Sequence, residues 1–239
     1  MTSRLAIVFG GSRGIGAACV KALADDGYDI AYTHVSGSAQ PPAHAGARIR
    51  AYRADIRSAG EVAQVFADAA ADFGRAPHCV VANAGINVPP GPMAQFDSEN
   101  FRRLVEVNIV GAFNILREAA QRVQDGGSII AITTSLVRHA APGIGPYSAT
   151  KAAVECMVRS MSKELAPRKV RVNAVAPGPV DTDLFRAGKT EEAKQRSAAM
   201  SPLNRIGSPD EIGHVVAFVA SDKASWVDGQ VIQPNGGLV

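Results

Sequence analysis

A tyrosine and a lysine four residues apart carry the clearest chemistry in this sequence. Tyr147 and Lys151 belong to the segment Tyr-Ser-Ala-Thr-Lys, and this spacing places both side chains on one face of a helix. A nearby ammonium group favours the phenolate form and lowers the pKa of a tyrosine, which suits acid–base catalysis near neutral pH. An exposed helical pair is the alternative interpretation, because this spacing also arises by chance.

Two further polar residues could act together with this pair. Ser135 follows an apolar run that is predicted to be a strand, and the carboxyl ends of strands in an open α/β sheet meet at the ligand. Its hydroxyl could therefore hold a carbonyl or alkoxide oxygen. Asn108 stands inside a long predicted helix, at a position where an apolar residue is usual. A buried amide with its own hydrogen-bond partners is the alternative to a catalytic Asn108.

A glycine-rich loop near the start of the chain predicts a dinucleotide site. The first apolar run leads into Gly10-Gly-Ser-Arg-Gly14-Ile-Gly16, and a helical pattern follows to about Asp26. Glycines allow the backbone to approach a pyrophosphate, and the helix N-terminus offers it free N–H groups. This position between a strand and a helix is the context that such a site requires. A glycine-rich turn without a ligand is the alternative.

The residues around the end of the second predicted strand favour NADP(H) over NAD(H). An NAD site usually has an acidic residue about 20 residues after the glycine loop, where it binds the ribose. No acidic residue occurs between Ile30 and Ala54. Arg13 could instead pair with a 2′-phosphate, with Thr33, His34 and Ser36 nearby. A solvated Arg13 on the surface is the alternative.

Alternating strands and helices must position these residues. Strands are predicted at 5–9, 30–33, 49–52, 79–82, 128–133, 170–175 and 230–233. Helices are predicted at 58–73, 98–123, 147–166 and 208–220, the first and last of which begin with capping boxes. We expect a short helix or an irregular connection at 36–46. The pattern predicts an α/β fold, a doubly wound parallel sheet of about seven strands (a Rossmann fold), in a single domain over residues 1–239.

Composition excludes several classes of protein. The 239 residues are 46% apolar and 20% charged, as in a globular domain, and the net charge of +3 is too weak and scattered for nucleic-acid binding. The apolar runs are too short for a signal peptide or a membrane span. Three widely separated cysteines indicate a reducing compartment. We therefore expect a cytoplasmic protein with no nucleic-acid partner, no membrane partner and no metal.

Together, these motifs resemble the short-chain dehydrogenase/reductase family from Leu5 to Gly237. The stretches that carry the resemblance are Gly10/Gly14/Gly16, Asp55-Ile56, Asn83-Ala84-Gly85, Asn108, Ser135, Tyr147/Lys151, Pro177–Thr182, Gly229-Gln230 and Asn235–Gly237. The resemblance implies an oxidoreductase that transfers hydride between a nicotinamide and a small-molecule carbonyl or secondary alcohol.

The resemblance also implies a role for each site residue. Tyr147 would be the general acid in reduction, and Lys151 would lower its pKa and bind the nicotinamide ribose. Ser135 would orient the substrate oxygen, and Asn108 would hold a water that links Lys151 to solvent. The complete set of predicted cofactor-binding residues is Gly10, Ser12, Arg13, Gly14, Ile15, Gly16, Thr33, His34, Asp55, Ile56, Asn83, Ala84, Gly85, Tyr147, Lys151, Pro177, Gly178, Val180 and Thr182.

The sequence departs from the family pattern at three places. Phe9 stands where a threonine is usual, so a hydrogen bond that stabilises the glycine loop is expected to be missing. Ala82 replaces a second asparagine that many members have. Ser135 precedes Tyr147 by twelve residues, where thirteen is common. Thr134 would restore thirteen, but the match at Pro142-Gly143 favours Ser135.

The chain looks most like the branch of 3-oxoacyl-[acyl-carrier-protein] reductases and related NADPH carbonyl reductases. This predicts a ketone reductase whose substrate could be thioester-linked. An alcohol, sugar or steroid dehydrogenase with the same site is the alternative, and a non-catalytic NADP(H) sensor is a third hypothesis. Arg168 fits a carrier-docking position, but Asp125 stands where another arginine is expected. Segment 184–200 is predicted to be a lid. Family members are commonly tetramers built on their two long helices, so we expect a homotetramer.

Overall fold

A computed structural model describes residues 3–35 and 44–239, and within them the chain forms a parallel sheet of seven strands. The strand order is β3-β2-β1-β4-β5-β6-β7. The strands are β1 Arg4–Phe9, β2 Tyr28–His34, β3 Ile49–Arg53, β4 Cys79–Ala82, β5 Ser128–Ile132, β6 Arg171–Val175 and β7 Val231–Ile232. This is the predicted Rossmann-like fold, and the predicted strands agree with the observed ones to within about two residues at each end.

Helices cover both faces of the sheet, which explains why β1, β4 and β5 are apolar at successive positions. The helices are α1 Gly14–Asp25, α2 Ala59–Phe73, α3 Ser98–Leu104, α4 Ala112–Arg122, α5 Gly145–Leu165, α6 Asp183–Arg186, α7 Glu191–Ala199 and α8 Pro209–Ala220. One core lies between the sheet and α2, α4 and α5, and the other lies between the sheet and α1 and α8.

The long helix predicted at 98–123 is interrupted. Its central segment, Val105–Gly111, is a π-helix that joins α3 to α4 and contains Asn108. Such wide turns are often found at functional sites. The two predicted capping boxes also differ. Ser208 and Glu211 form a complete box at the start of α8. At α2, Ser58 caps Glu61 N, but the Glu61 carboxylate accepts from Asp55 N at 2.9 Å instead.

The order of the strands reverses between β1 and β4, and the helices α1 and α4 that follow them pack on opposite faces of the sheet, which leaves a crevice at the carboxyl ends of the two strands. Ligands of doubly wound sheets bind at such a switch point. The glycine loop follows β1, and Asn83-Ala84-Gly85 follow β4, so both predicted motifs lie at this crevice. Ser36 and most of the connection predicted at 36–46 lie outside the described residues. Among the residues that the structure describes, none of the helices could cross a membrane.

Candidate active site

The glycine loop is held by two side chains from neighbouring strands. Gly10 has a φ of +78°, its N–H donates to Thr33 Oγ1 at 3.0 Å, and its carbonyl accepts from Asn83 Nδ2 at 2.9 Å. Phe9 packs against Phe66 in the core, with 5.6 Å between the ring centroids. Phe9 was predicted to leave the glycine loop without one hydrogen bond, and Thr33 provides a hydrogen bond to that loop.

At Gly16 the backbone of the loop approaches itself so closely that only glycine fits. A β-carbon added at Gly16 would lie 2.0 Å from Gly10 O, so even alanine would displace the loop. Arg13 is the extended N-cap of α1, and the first turn of the helix contains no acidic residue in its sequence, Gly-Ile-Gly-Ala. The positive end of α1 thus faces the crevice beside exposed Ser12 and half-buried Ile15. This arrangement fits a pyrophosphate.

The segment after β6 forms the opposite wall of the loop. A β-carbon at Gly14 would lie 3.3 Å from the Thr182 methyl group, and one at Gly178 would lie 2.9 Å from Asn235 Cα. Thr182 Oγ1 also caps α6 by accepting from Phe185 N. Buried Val180 forms a backbone bridge with Gly207 that secures this wall.

Asp55 and Ile56, two of the predicted cofactor-binding residues, lie just beyond β3. The Asp55 carboxylate accepts from Arg57 Nε at 3.0 Å and from a terminal guanidinium nitrogen at 2.5 Å, and this pairing lowers the pKa of Asp55. Buried Ile56 packs against Gly111, where an added β-carbon would lie 2.6 Å from the Ile56 side chain. His34 ends β2 directly opposite Arg53 of β3. Basic groups, rather than a carboxylate, therefore stand at the end of β2.

Lys151 is buried at the centre of the crevice. Its Nζ donates to Ile132 O at 2.9 Å, and burial lowers its pKa to about 8. A β-carbon at Gly85 would lie 3.2 Å from Lys151 Nζ and 3.1 Å from Asn108 Oδ1. The missing side chain at Gly85 therefore lets the backbone pass close to Lys151, whose ammonium still has hydrogens to donate beyond its bond to Ile132 O.

Tyr147 lies one turn before Lys151, as predicted, but its protonation differs from the prediction. Burial raises the pKa of Tyr147 to about 12, and a hydrogen bond with the Thr134 side chain opposes this rise. Among the described residues, Lys151 does not contribute to the pKa of Tyr147, because its ammonium is directed to Ile132 O. The expectation that Lys151 lowers this pKa is thus corrected. Tyr147 is a neutral phenol at neutral pH.

The Thr134 hydroxyl opposes the rise in the pKa of Tyr147, whereas the Ser135 hydroxyl is bonded elsewhere. Ser135 is fully buried, and its Oγ donates to Ala176 O at 2.7 Å, away from the phenol. Its N–H donates to Pro177 O at 2.9 Å, which fastens the end of β5 to the segment after β6. Thr134 Oγ1 accepts from Leu136 N at 3.3 Å and keeps its own proton to donate. In the sequence, the common family spacing of thirteen residues before Tyr147 was the signal that pointed to Thr134.

The Asn108 side chain joins neighbouring elements. Its Oδ1 accepts from Ile86 N at 2.9 Å, and its Nδ2 donates to Ile86 O at 2.9 Å and to Thr150 Oγ1 at 3.2 Å. Thr150 Oγ1 in turn donates to Tyr147 O. Both ends of the side-chain amide have protein partners, and the water role of Asn108 stays a prediction. Asn108 connects the π-helix, the segment after Gly85 and the helix that carries Tyr147.

Comparison with known proteins relates the chain to one family over its whole length. Residues 10–239 match a family model described as enoyl-(acyl carrier protein) reductase. A short-chain type dehydrogenase/reductase from Picea abies is 40% identical over 251 residues, which cover 99% of this chain and 92% of the relative. An NADPH-dependent aldehyde reductase-like protein, chloroplastic, from Arabidopsis thaliana is 38% identical and covers 100% of this chain and 95% of its own length.

A solved structure has the same architecture. It is a blue fluorescent protein from a metagenomic library in complex with NADPH, and it superimposes with a TM-score of 0.90 at 34% identity. The match covers 99% of this chain and 98% of that protein. The similarity therefore includes the crevice, both its walls and the helix that carries Tyr147 and Lys151.

Proposed function

Because the chain belongs to the short-chain dehydrogenase/reductase family, we propose that it is an NADPH-dependent reductase of aldehydes and ketones. The observation that carries this proposal is the convergence of three groups at the carboxyl end of β5. They are the Tyr147 phenol, the Thr134 hydroxyl that faces it and the Lys151 ammonium beside Gly85. An acid, a hydrogen-bond donor and a cation near the end of one strand suit the conversion of a carbonyl to an alcohol.

The cofactor is NADP(H), which the crevice fits. The relative from Arabidopsis is named as NADPH-dependent, and the metagenomic protein was solved with NADPH. In this chain, the glycine loop and the positive end of α1 would hold the pyrophosphate, and Lys151 and Asn83-Ala84-Gly85 would lie along the riboses. Arg13, His34 and Arg53 would attract the 2′-phosphate, because no carboxylate near the end of β2 repels it. When bound, NADPH supplies the hydride.

In reduction, the chain's own residues manage the substrate oxygen. Thr134 donates a hydrogen bond that orients the carbonyl, and the Tyr147 phenol gives its proton to the oxygen as the carbon accepts hydride. The alcohol forms, and the phenolate that remains takes up a proton from solvent before the next turnover. Burial keeps the phenol protonated beforehand, since its pKa is raised to about 12. A protonated phenol is the form that reduction requires, whereas oxidation of an alcohol, sugar or steroid by the same residues would require the phenolate.

We propose free carbonyl compounds, rather than carrier-linked thioesters, as substrates. Arg168, which the family resemblance assigned to carrier docking, is held within the chain. Its Nε donates to Asp125 Oδ1 at 2.8 Å, and its terminal nitrogens donate to Ala120 O at 2.5 Å and to Val123 O. A guanidinium that pairs with Asp125 and caps α4 has little capacity left for an acidic partner. The 3-oxoacyl-[acyl-carrier-protein] reductase hypothesis therefore lacks its docking residue.

The test follows cofactor oxidation with a panel of aldehydes and ketones, with short 3-oxoacyl thioesters of pantetheine and with the same acyl groups on carrier protein. We expect turnover with NADPH, weaker turnover with NADH, and no gain from the carrier protein. Tyr147→Phe should remove the activity. Tight NADPH binding without turnover on any carbonyl would favour the sensor hypothesis, and a large gain from the carrier protein would restore the docking hypothesis.

We also propose the predicted homotetramer, assembled on α3–α4 and α5. Phe101 and Phe113 support it, because these large apolar side chains are 45% and 46% exposed on α3 and α4. Light scattering coupled to size-exclusion chromatography tests it, and a monomeric mass would contradict it. A cytoplasmic location stays a prediction, since the name of the Arabidopsis relative places that protein in the chloroplast.

A further inference from the structure

A buried glutamate lies next to the catalytic groups without touching the crevice. Glu155 is 6% exposed on α5, one turn beyond Lys151. Its Oε1 accepts from Thr133 Oγ1 at 3.0 Å. Burial raises the pKa of Glu155, while the hydrogen bond from Thr133 and the charges of Arg159 and Arg138 oppose the rise. A buried carboxylate is costly to keep, so this pairing calls for an explanation.

The pair belongs to a set of contacts that attaches the end of β5 to α5. Ile132 O accepts from Lys151 Nζ, Thr133 Oγ1 donates to Glu155, and the Thr134 hydroxyl faces Tyr147. Three consecutive residues, at and just after the end of β5, are therefore bound to residues that recur every four positions along α5. Any shift of this strand end along the helix would move the Thr134 hydroxyl relative to the phenol.

The contacts in this set differ in whether their residues also contact the substrate or the cofactor. Tyr147 and Thr134 contact the substrate in the proposed reaction, and Lys151 must also serve the cofactor. The bond between Thr133 and Glu155 has neither task, so it can persist through the reaction. On the opposite side, Thr133 N donates to Val175 O at 2.8 Å, which fixes the strand to β6 but not to the helix.

We propose that Glu155, through Thr133, is a positioning residue that keeps the Thr134 hydroxyl opposite the Tyr147 phenol. The inference rests on the proposed reductase function. Misplacement of a reacting group by about 1 Å can cost up to about 100-fold in rate, so loss of one of several holding contacts should cost about tenfold. Ground-state binding of NADPH should not change, because the glycine loop lies elsewhere.

Glu155→Leu and Glu155→Gln test this proposal. Glutamine keeps an oxygen that can accept from Thr133, whereas leucine fills the space without an acceptor. We expect Glu155→Leu to lower kcat about tenfold with KM and the NADPH dissociation constant within about twofold, and Glu155→Gln to restore most of kcat. Glu118→Leu is the matched control, because Glu118 is 5% exposed on α4 and pairs with Arg122 at 2.8 Å, away from β5.

Thr133→Val provides the second variant and a double-mutant cycle. Since the two residues act through one bond, Thr133→Val should lower kcat similarly, and the double variant should lose no more than Glu155→Leu alone. An unchanged kcat in Glu155→Leu, an equal loss in Glu118→Leu, or additive losses in the double variant would each overturn the proposal. An inactive wild-type enzyme would instead contradict the proposed function, so the two failures are distinguishable.

Discussion

The two ends of the sheet hold similar residues but differ in what those residues can reach. At the carboxyl end, burial raises the pKa of Tyr147 to about 12 and lowers that of Lys151 to about 8. At the amino end, burial raises the pKa of Tyr28 to about 12 and lowers that of His78. Perturbed pKa values therefore occur at both ends and do not distinguish the active site.

The distinction lies in how the polar groups are satisfied. The Tyr28 hydroxyl lies 3.3 Å from His78 Nδ1 and 3.4 Å from Ala220 O, and Arg4 pairs with Asp222 through contacts of 3.1 Å and 3.0 Å. These groups are partners of one another. At the carboxyl end, the Lys151 ammonium bonds to Ile132 O and still has hydrogens to donate. A site needs hydrogen-bonding capacity that the protein leaves unused, and only then do perturbed pKa values serve chemistry.

The largest effect should separate the two tyrosines. Tyr147→Phe removes the proposed acid, and we expect kcat to fall at least about 1000-fold with NADPH affinity retained, since general acid catalysis contributes factors of this order. Tyr28→Phe removes a hydroxyl from a buried tyrosine at the amino end and should leave kcat within about twofold. Steady-state kinetics and NADPH fluorescence titration measure both quantities. Comparable losses of kcat in the two variants would contradict the comparison.

The glycine loop offers the next largest effect. Gly16→Ala places a methyl group 2.0 Å from Gly10 O, so the loop must shift, and we expect the NADPH dissociation constant to rise about 100-fold. Gly60→Ala is the matched control on α2, where an added β-carbon meets nothing within 4 Å. Alanine there should leave binding unchanged and stabilise the helix by up to about 1 kcal/mol. Fluorescence titration measures NADPH binding by the two variants, and urea unfolding measures their stability. Equal affinities for NADPH would contradict the close fit of the glycine loop.

Thr134 and Ser135 give a smaller and more local test. Thr134→Val removes the hydroxyl that faces Tyr147, and kcat should fall about 10- to 100-fold, near the lower range for the loss of one oxyanion donor. Thr134→Ser keeps the hydroxyl and should recover most of the activity. Ser135→Ala removes a bond to Ala176 O, so its effect should appear in the midpoint of thermal unfolding more than in kcat. A greater kcat loss in Ser135→Ala than in Thr134→Val would return the role to Ser135.

The fold was predictable because its signals are local. The glycine loop follows the apolar run of β1, Gly126-Gly127 precede that of β5, and Ser58 and Ser208 cap the starts of α2 and α8. The π-helix at Val105–Gly111 was not predictable, because the residues from 98 to 122 keep a helical pattern and a wider turn changes no residue type. The Glu61 carboxylate accepts from Asp55 N instead of Ser58 N, and this choice also depends on the path of the chain after β3.

The site was predicted in its residue types more than in its contacts. Tyr147, Lys151 and the glycine loop lie at one crevice because a spacing of four and a strand–loop–helix order determine their placement. The choice between Thr134 and Ser135 depends on a tight turn at Ser135–Val137, which directs Ser135 towards Ala176. Thr133 and Glu155 were missed, since a pair 22 residues apart has no signal before the strand and helix are packed together.

The smallest effect should come from the amino end of the sheet and concern stability alone. Burial lowers the pKa of His78 from its ordinary value of 6.5. Because the unfolded chain then binds a proton more readily than the folded chain, the free energy of unfolding should fall as pH drops below 6.5 and level off below the folded pKa. Above 6.5 both states carry a neutral imidazole, so this contribution is constant there.

Urea unfolding between about pH 7.5 and 5.5 measures this slope, in a range above the titration of most carboxylates. His78→Gln should flatten it, while His214→Gln, at an exposed position on α8, should reproduce the wild-type slope. Neither variant should change kcat at pH 7.5, because the contacts of His78 with Tyr28 stay at the amino end. If the free energy of unfolding fell with pH at the same slope in all three proteins, His78 would not be the cause of this pH dependence. A kcat that changed with His78 would show that the two ends of the sheet are coupled, contrary to the separation described above.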